Sequence, residues 1–486
     1  DGPSSAKSRY QIYDPDGQRV AGGSLRKLYR GEGTDLKLYR PRRWWPREHG
    51  RSELYTIVIT VDSGAGRVDR STARFAIRTV RRDGIGRLLV NERPLFLRGT
   101  NYIATQYFAD FPRTTLLRDF ALMEAAHINA VRVHAHVTLP AFYDLADERG
   151  MLVLQDFPLQ WGYDESSAFA AEAARQAHEM VAVLYNHPSI VFWSGINEAP
   201  YSSEWMKWKY PDYDPDQNRG LERAVYAALA EDQSRPSEGN GSPAHHVWAG
   251  WYDGSYRGFA RPQSHSWITE YGAQAVPSVS TLATFLRREQ MWPIEKNLKV
   301  WEYHNFQLRE LRDIAKVPLG SSIESLIQNT QRYQARLLQF AAENLRRQKW
   351  QPVSAVFQFM LVEHWPSMNW GMVDYLRQPK LGYSALARAY QPVLPVAVAR
   401  ENARTIELFV INDVARASLG CTLLVRTVPE GRLPLVLPID LPSDDVLALK
   451  SPIARPSAAE GLVLELLDGD GALLSRNAYE AGYFEP

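Results

Sequence analysis

Two glutamates stand where apolar runs end. Glu198 follows PSIVFWSGIN, and Glu270 closes SWIT. Two carboxylates converging on one cleft are the minimum equipment for cleaving a glycosidic bond. One must be protonated to assist the leaving group, and the other ionised to attack the anomeric carbon. A retaining mechanism needs them about 5–5.5 Å apart. Other run ends supply possible helpers: Asn101, Arg132, His134, His136, Asp156, Asn197, Trp251, Tyr252, and Glu363-His364-Trp365. Arg132 and Tyr252 are expected to hold Glu270 ionised. Asn197 is expected to donate to the substrate 2-hydroxyl. His134, His136, Asp156, Trp161 and Trp365 are expected around the sugar ring. Taken singly, a glutamate at a strand end is more often structural or solvated. The HAH triplet at His134–His136 has metal-like spacing, but no third ligand stands out, so no metal is assigned.

The elements that would position these residues follow from periodicity. From residue 84 to residue 390, apolar runs alternate with helical patterns. RPLFLRGTNY, NAVRVHAHV, MLVLQDF and PSIVFWSGIN read as strands. TTLLRDFALMEAAHI, LPAFYDLADERG and SAFAAEAARQAHEMVAVLYN read as the helices between them. Further strands are expected at 236–241, 246–251, 266–271 and within SAVFQFMLV, with strong helices at LERAVYAALAED and RYQARLLQFAAENLRRQ. The strands are continuous apolar runs, the mark of parallel strands buried on both faces. Eight strands and about seven helices predict a (β/α)₈ barrel, whose working residues lie at the C-terminal strand ends. An open doubly wound sheet is the competitor, but no Gly-rich phosphate loop follows any strand.

Residues 1–83 read as a partial immunoglobulin-like β-sandwich, with YQIYDPDGQRV forming two strands about an Asp-Gly turn. Residues 391–486 return to strand-like runs and predict a second sandwich. A chain of 486 residues exceeds one compact core. Its 45% apolar and 23% charged composition is that of a globular protein. A net charge of +1 argues against nucleic-acid or membrane-surface partners. No apolar stretch reaches the roughly 18 residues of a membrane span. The single cysteine, Cys421, lies in an apolar run and is expected to be an inert core thiol. Fourteen Trp and 24 Tyr suit sugar stacking and large β-rich cores equally.

Several stretches resemble glycoside hydrolase family 2, the family of β-galactosidases, β-glucuronidases and β-mannosidases. YNHPSIVFWSGINEAP resembles the segment entering strand four, and WITEYGAQAVPS the strand-seven segment. The resemblance makes Glu198 the acid/base, with Asn197 its neighbour, and Glu270 the nucleophile. VRVHAH resembles the strand-two segment with an active-site arginine, which maps to Arg132. LVEHWPSMNWGMVDYLRQPKLGYSAL is similar to the strand-eight region of β-mannosidase-like members and implies a cleft tryptophan at Trp365. RRWWPREHGRSELYTIVITV and LSRNAYE resemble the ends of the two flanking β domains.

The chain also departs from the family. The N-terminal jelly-roll domain has no counterpart, and the first sandwich is short, so an incomplete N-terminus or a second chain is expected. FPLQWGYD is not the usual mannosidase loop, and FWSGINEAP lacks the Gly-Asn-Asn-Glu form. The expected activity is that of a retaining exo-β-glycosidase acting on an oligosaccharide or glycoside, with β-mannosidase-like specificity leading. β-Galactosidase, β-glucuronidase and furanosidase specificities, or a non-catalytic carbohydrate-binding role, stay open. The chemistry needs no cofactor.

Overall fold

The computed structural model describes residues 7–25, 35–62, 68–208, 212–241, 245–399, 404–429, 434–450 and 452–485. The N-terminal unit is an antiparallel sheet of β1 (Lys7–Tyr13), β2 (Arg19–Leu25), β3 (Tyr55–Asp62) and β4 (Val68–Phe75), in the order β2-β1-β3-β4. The turn between β1 and β2 is set by Asp14, whose carboxylate accepts from the backbone N–H of Asp16 and of Gln18. Gly17 supplies the left-handed residue there, at φ +78°.

Three short strands come next: β5 (Val80–Arg82), β6 (Leu88–Val90) and β7 (Arg93–Leu95). They close the floor of the barrel. The Gly86 carbonyl accepts from Trp267 Nε1 at 2.6 Å and from Ser354 Oγ at 2.9 Å, both at strand starts. Leu88, Val90 and Leu95 pack with Leu97, Leu154, Phe192, Trp267 and Phe357 in one buried cluster.

The barrel strands are β8 (Leu97–Tyr102), β9 (Ala130–Val133), β10 (Leu152–Gln160), β11 (Ile190–Asn197), β12 (Ser237–Gly241), β13 (Trp267–Tyr271) and β14 (Ala355–Gln358). They lie in the order β12-β11-β10-β9-β8-β14-β13, every pair parallel. The sheet therefore curls round until β13 stands one place from β12. The sixth barrel position differs from the sequence expectation. Residues 246–251 form no strand, only isolated bridges from His246 to Glu270 and from Ala249 to Asp253. The chain then turns sharply, with the Trp248 carbonyl accepting from the backbone N–H of Trp251, Tyr252 and Asp253. Gly250, at φ +84°, permits the turn.

Around the strands lie α1 (Arg113–Ala125), α2 (Pro140–Arg149), α3 (Ser167–Leu184) and α4 (Arg219–Leu229). Between β13 and β14 come the short α5 (Val279–Leu282), α6 (Arg288–Met291) and α7 (Leu298–Tyr303), then the long α8 (Ile323–Arg346). Helix α9 (Leu381–Ala389) follows β14. Start and stop signals explain the ends. Ser166 and Ser322 cap α3 and α8 through their hydroxyls, and Gly150 ends α2 at φ +65°. No described helix is long and apolar enough to cross a membrane.

The C-terminal sandwich has strands β15 (Val393–Ala399), β16 (Thr405–Asn412), β17 (Ser418–Val428), β18 (Leu435–Leu441), β19 (Val446–Ala448), β20 (Ile453–Ala454), β21 (Gly461–Leu467) and β22 (Leu473–Tyr479). One sheet runs β15-β16-β19 with β20 also on β16, and the other β18-β17-β21-β22. Cys421 is buried among them. Asp413, just past β16, joins this unit to the barrel. It pairs with Arg98 at 2.7 Å, Arg346 at 2.8 Å and Lys349 at 3.0 Å.

Candidate active site

Strand direction brings the polar residues together. In β9, Arg132 is fully buried at the C-terminal end of the barrel. Its guanidinium donates to Glu270 Oε1 at 2.9 Å, to Asn197 Oδ1 at 2.7 Å and to Asp156 Oδ1 at 3.2 Å. Its Nη2 also lies 2.9 Å from Asp156 Oδ2, and Nη1 3.4 Å from Asn101 Oδ1. Four guanidinium hydrogens thus have acceptors, and Nη2 lies in ion-pair reach of the Asp156 carboxylate. Because Asn197 Oδ1 faces this cation, its amide nitrogen is the end left for another acceptor. Burial, the largest single influence, would raise the Asp156 carboxyl, but Arg132 and His134 together outweigh it and hold it below the usual range.

Glu198 ends β11 and Glu270 lies in β13. Glu198 Oε2 accepts from Trp161 Nε1 at 3.0 Å. Glu198 Oε1 lies 3.1 Å from His246 Nδ1, and Glu270 Oε2 lies 3.4 Å from the same nitrogen. The three facing atoms of Glu198, His246 and Glu270 are all within 4.8 Å of one another. Burial, the largest single influence, would raise the Glu198 carboxyl; the hydrogen bonds from His246 and Trp161 with the imidazole charges of His246 and His134 together lower it instead. Local backbone strain marks the place. Glu198, Trp161 and Ala135 adopt φ of +50°, +70° and +52°. Non-glycine residues hold such conformations only where their surroundings enforce them.

Aromatic rings wall the same space. Phe359 lies edge-on to His134, Trp248 and Trp370 at ring separations of 5.2, 5.8 and 5.7 Å. Trp248 and Trp370 are 5.9 Å apart. Several buried polar atoms here lack a partner: His134 Nδ1, His246 Nε2, His364 Nδ1 and Trp370 Nε1. A cavity of about 1040 Å³ opens elsewhere, between α8 and the C-terminal sandwich, and holds none of these residues.

Of the residues expected from sequence, the fold gathers Glu198, Glu270, Arg132, Asn197, Asp156, His134 and Trp161. Others fall differently. Tyr252 does not bond Glu270. Its hydroxyl accepts from Gln307 Nε2 at 2.9 Å, because the turn at Gly250 carries it past the carboxylates. Asp156 is wholly buried against Arg132 and the N–H of Ala135, so it supports the arginine rather than facing a sugar. His136 turns back, its Nδ1 3.1 Å from the His134 carbonyl. Trp365 belongs to another stack, 5.5 Å from His304 and 5.7 Å from Tyr303. His246, Trp248, Phe359 and Trp370 escaped the sequence reading. The signal for His246 lies in the HHVWAGWYD run, a strand pattern that points to its end and not to its beginning.

Among the described residues, two groups have metal-ligand spacing: Glu198–His246–Glu270 and Asp144–Asp147–His187. His134 and His136 belong to neither. The second group is engaged in holding the fold. Asp147 bonds His187 Nδ1 at 2.7 Å and the Ser189 N–H at 3.0 Å, while Asp144 pairs with Arg74 at 2.5 Å.

Comparison with known proteins agrees with this architecture. The family description "Glycosyl hydrolases family 2, TIM barrel domain" matches residues 81–318, and "Glycosyl hydrolases family 2" matches residues 2–78. Mouse beta-mannosidase is 28% identical over 413 residues, 73% of this chain and 46% of its own length. Beta-mannosidase B of Emericella nidulans is 26% identical, covering 76% of this chain and 48% of its own. The chain thus spans about half the length of these curated relatives. Among solved structures, beta-D-mannosidase from Dictyoglomus thermophilum superposes with a TM-score of 0.81 at 22% identity, over 99% of this chain and 63% of that one. The exo-chitosanase of Amycolatopsis orientalis gives 0.75 at 19%, over 98% and 59%. These likenesses show the fold, and the two family matches, in sequence order across both the N-terminal unit and the barrel, show the lineage: the chain belongs to glycosyl hydrolase family 2.

Proposed function

We propose that this chain is a retaining exo-β-glycosidase with β-mannosidase-like specificity. The observation that carries the reading is the approach of Glu198 and Glu270, with facing oxygens within 4.8 Å. That suits direct attack on the anomeric carbon. An inverting pair stands about 6.5–9.5 Å apart to admit a water. Arg132 stabilises negative charge on Glu270, which assigns it the nucleophile's role. Glu198 lacks a guanidinium and takes the proton-transfer role. In the first step Glu270 attacks the anomeric carbon, the glycosidic bond breaks, and Glu198 gives its proton to the departing oxygen. In the second, Glu198 takes a proton from water as the water's oxygen displaces the Glu270 ester.

The mannoside preference rests on the names of the curated relatives.

The test is a panel of p-nitrophenyl β-glycosides assayed with the native chain and with E198A and E270A. Release from the mannoside is expected, falling about 10⁴-fold or more in E270A. E198A should regain turnover with added azide, which replaces the activated water. An E270A protein as fast as the native one would end this reading.

A further inference from the structure

Behind the sixth barrel position, the chain goes on to wall the cavity between α8 and the C-terminal sandwich. Five arginines line that cavity: Arg257, Arg261, Arg336, Arg347 and Arg455. They come from three parts of the sequence. Arg257 lies in the short 3₁₀ helix Tyr256–Ala260, with Arg261 just after it. Arg336 lies in α8, with Arg347 just after it, and Arg455 follows β20. Three carboxylates, Asp253, Glu407 and Glu485, share the lining.

Much of this charge is not neutralised within the chain. Among the described residues, Arg257, Arg261 and Arg336 form no ion pair, and neither do Asp253 and Glu485. Other contacts fix the arginines. Arg257 stacks on Tyr256, 5.6 Å from the ring centre. Arg336 lies 5.3 Å from the Tyr483 ring centre, and its Nη2 donates to the Gly482 carbonyl at 2.5 Å. Arg347 donates from Nη2 to the Ala260 carbonyl at 2.6 Å and from Nε to Asn344 Oδ1 at 3.0 Å. The Tyr483 hydroxyl, between the lining residues Gly482 and Phe484, is buried without a partner. Burial, with Glu343 and Tyr256, pushes its phenol up, and Arg336 and Arg257 pull the other way, so both cations act on one neighbour.

Like charges gathered without counter-ions repel, and half-buried guanidiniums lose part of their hydration. An entering anion removes both costs. Among the described residues of the lining, every cation is an arginine, whose planar fork pairs two-on-two with phosphate or carboxylate oxygens. Arginines set on three segments around about 1040 Å³ cannot all reach one small ion.

We propose that this cavity binds a small organic polyanion carrying two or more phosphate or carboxylate groups. Arg257, Arg261 and Arg336 supply the donors. Tyr256, Phe340 and Phe484 supply apolar wall for the carbon body. The site is separate from Glu198 and Glu270 and does not depend on their roles.

Isothermal titration of the full chain with pyrophosphate and with citrate tests this, beside R257Q, R261Q, R257Q/R261Q and the charge-keeping R257K/R261K. At least one probe should bind the native chain one to one, and more weakly as salt rises. R257Q and R261Q should each weaken binding about tenfold, the scale of one hydrogen bond between charged groups. R257Q/R261Q should lose about a hundredfold, and R257K/R261K should keep part of the affinity. Neither arginine side chain makes a hydrogen bond among the described residues, so all four variants should melt with the native chain when no probe is present. Tighter binding of pyrophosphate identifies a phosphate ligand, and of citrate a carboxylate. Binding of neither probe would overturn the proposal. So would native affinity in R257Q/R261Q, which would place the anion elsewhere.

Discussion

Two buried arginines on neighbouring strands make the instructive contrast. Arg132 on β9 serves the mouth of the barrel, and Arg98 on β8 serves its junction with the flanking domains. Both are almost wholly buried, and both are shared between carboxylates. At the junction, Arg98 pairs with Glu48 and Asp413, and its Nε donates to the His127 carbonyl. Asp413 also takes Arg346 and Lys349, and Lys349 reaches Asp444 at 2.6 Å. Buried atoms without a partner there include Arg346 Nε and His49 Nδ1, the latter beside Glu48 and Arg98. At the mouth they include ring nitrogens of His136, His246, His364 and Trp370. Buried polar groups are satisfied almost everywhere in folded proteins. The junction sets three cations against Asp413 and fastens domains; the mouth sets ring nitrogens of Trp161 and His246 against Glu198.

Substitution at each place should break this contrast in opposite directions. The largest stability effect is expected from D413N. It leaves Arg98, Arg346 and Lys349 buried with their shared anion gone, at a cost of about 3–5 kcal/mol. The paired cations hold the Asp413 carboxyl well below its ordinary value despite burial. Its contribution is therefore complete above the unfolded carboxyl range and is lost as pH falls below about 4. Denaturant titration of D413N within 1 kcal/mol of the native chain would show that the junction is no fastener. W161F should do the reverse. It removes the indole N–H that holds Glu198 Oε2 and leaves an aromatic ring in place. An activity loss of about tenfold is expected, with a change in stability under about 1 kcal/mol. Parallel rate and melting measurements decide it; a variant that melts early but turns over normally would make Trp161 a structural residue.

The two networks were not equally visible in the sequence. Glu198, Glu270 and Arg132 could be found because parallel strands point their last residues into one mouth, so apolar runs ending in charge are informative. Asp413 could not be found that way. It lies 315 residues from Arg98, and nothing local in ND marks a partner so distant. His246 was missed for a different reason. Strand logic looks to the C-terminal end of a run, whereas this segment bridges β13 only at His246 and then turns, so its first residue reaches the site. The same turn misplaced Tyr252. The floor strands β5, β6 and β7 are three residues each, too short for alternation to show.

The same junction contains a buried carboxyl of the opposite kind. Glu343 on α8 faces the C-terminal sandwich with no cation in bonding reach among the described residues. Its oxygens accept from Asn477 Nδ2 at 2.7 Å, Gln339 Nε2 at 3.0 Å and the Tyr479 hydroxyl at 3.0 Å. Burial outweighs these bonds and pushes its pKa up to about 7. The native chain then keeps a proton that the unfolded chain releases near the ordinary value of 4.5. Stability should fall as pH rises between those two values and level off above the higher one. E343Q keeps the size and the hydrogen-bonding oxygen but cannot ionise. It should match the native chain near pH 5 and exceed it by on the order of 1 kcal/mol at pH 8. Thermal melts of both proteins across pH 5–8 test this. Parallel curves would mean that Glu343 is ionised throughout and that Asn477, Gln339 and Tyr479 suffice to hold the charge. The junction would then resemble the barrel mouth, where neutral donors and an imidazole surround Glu198, more closely than the cation-rich setting of Asp413.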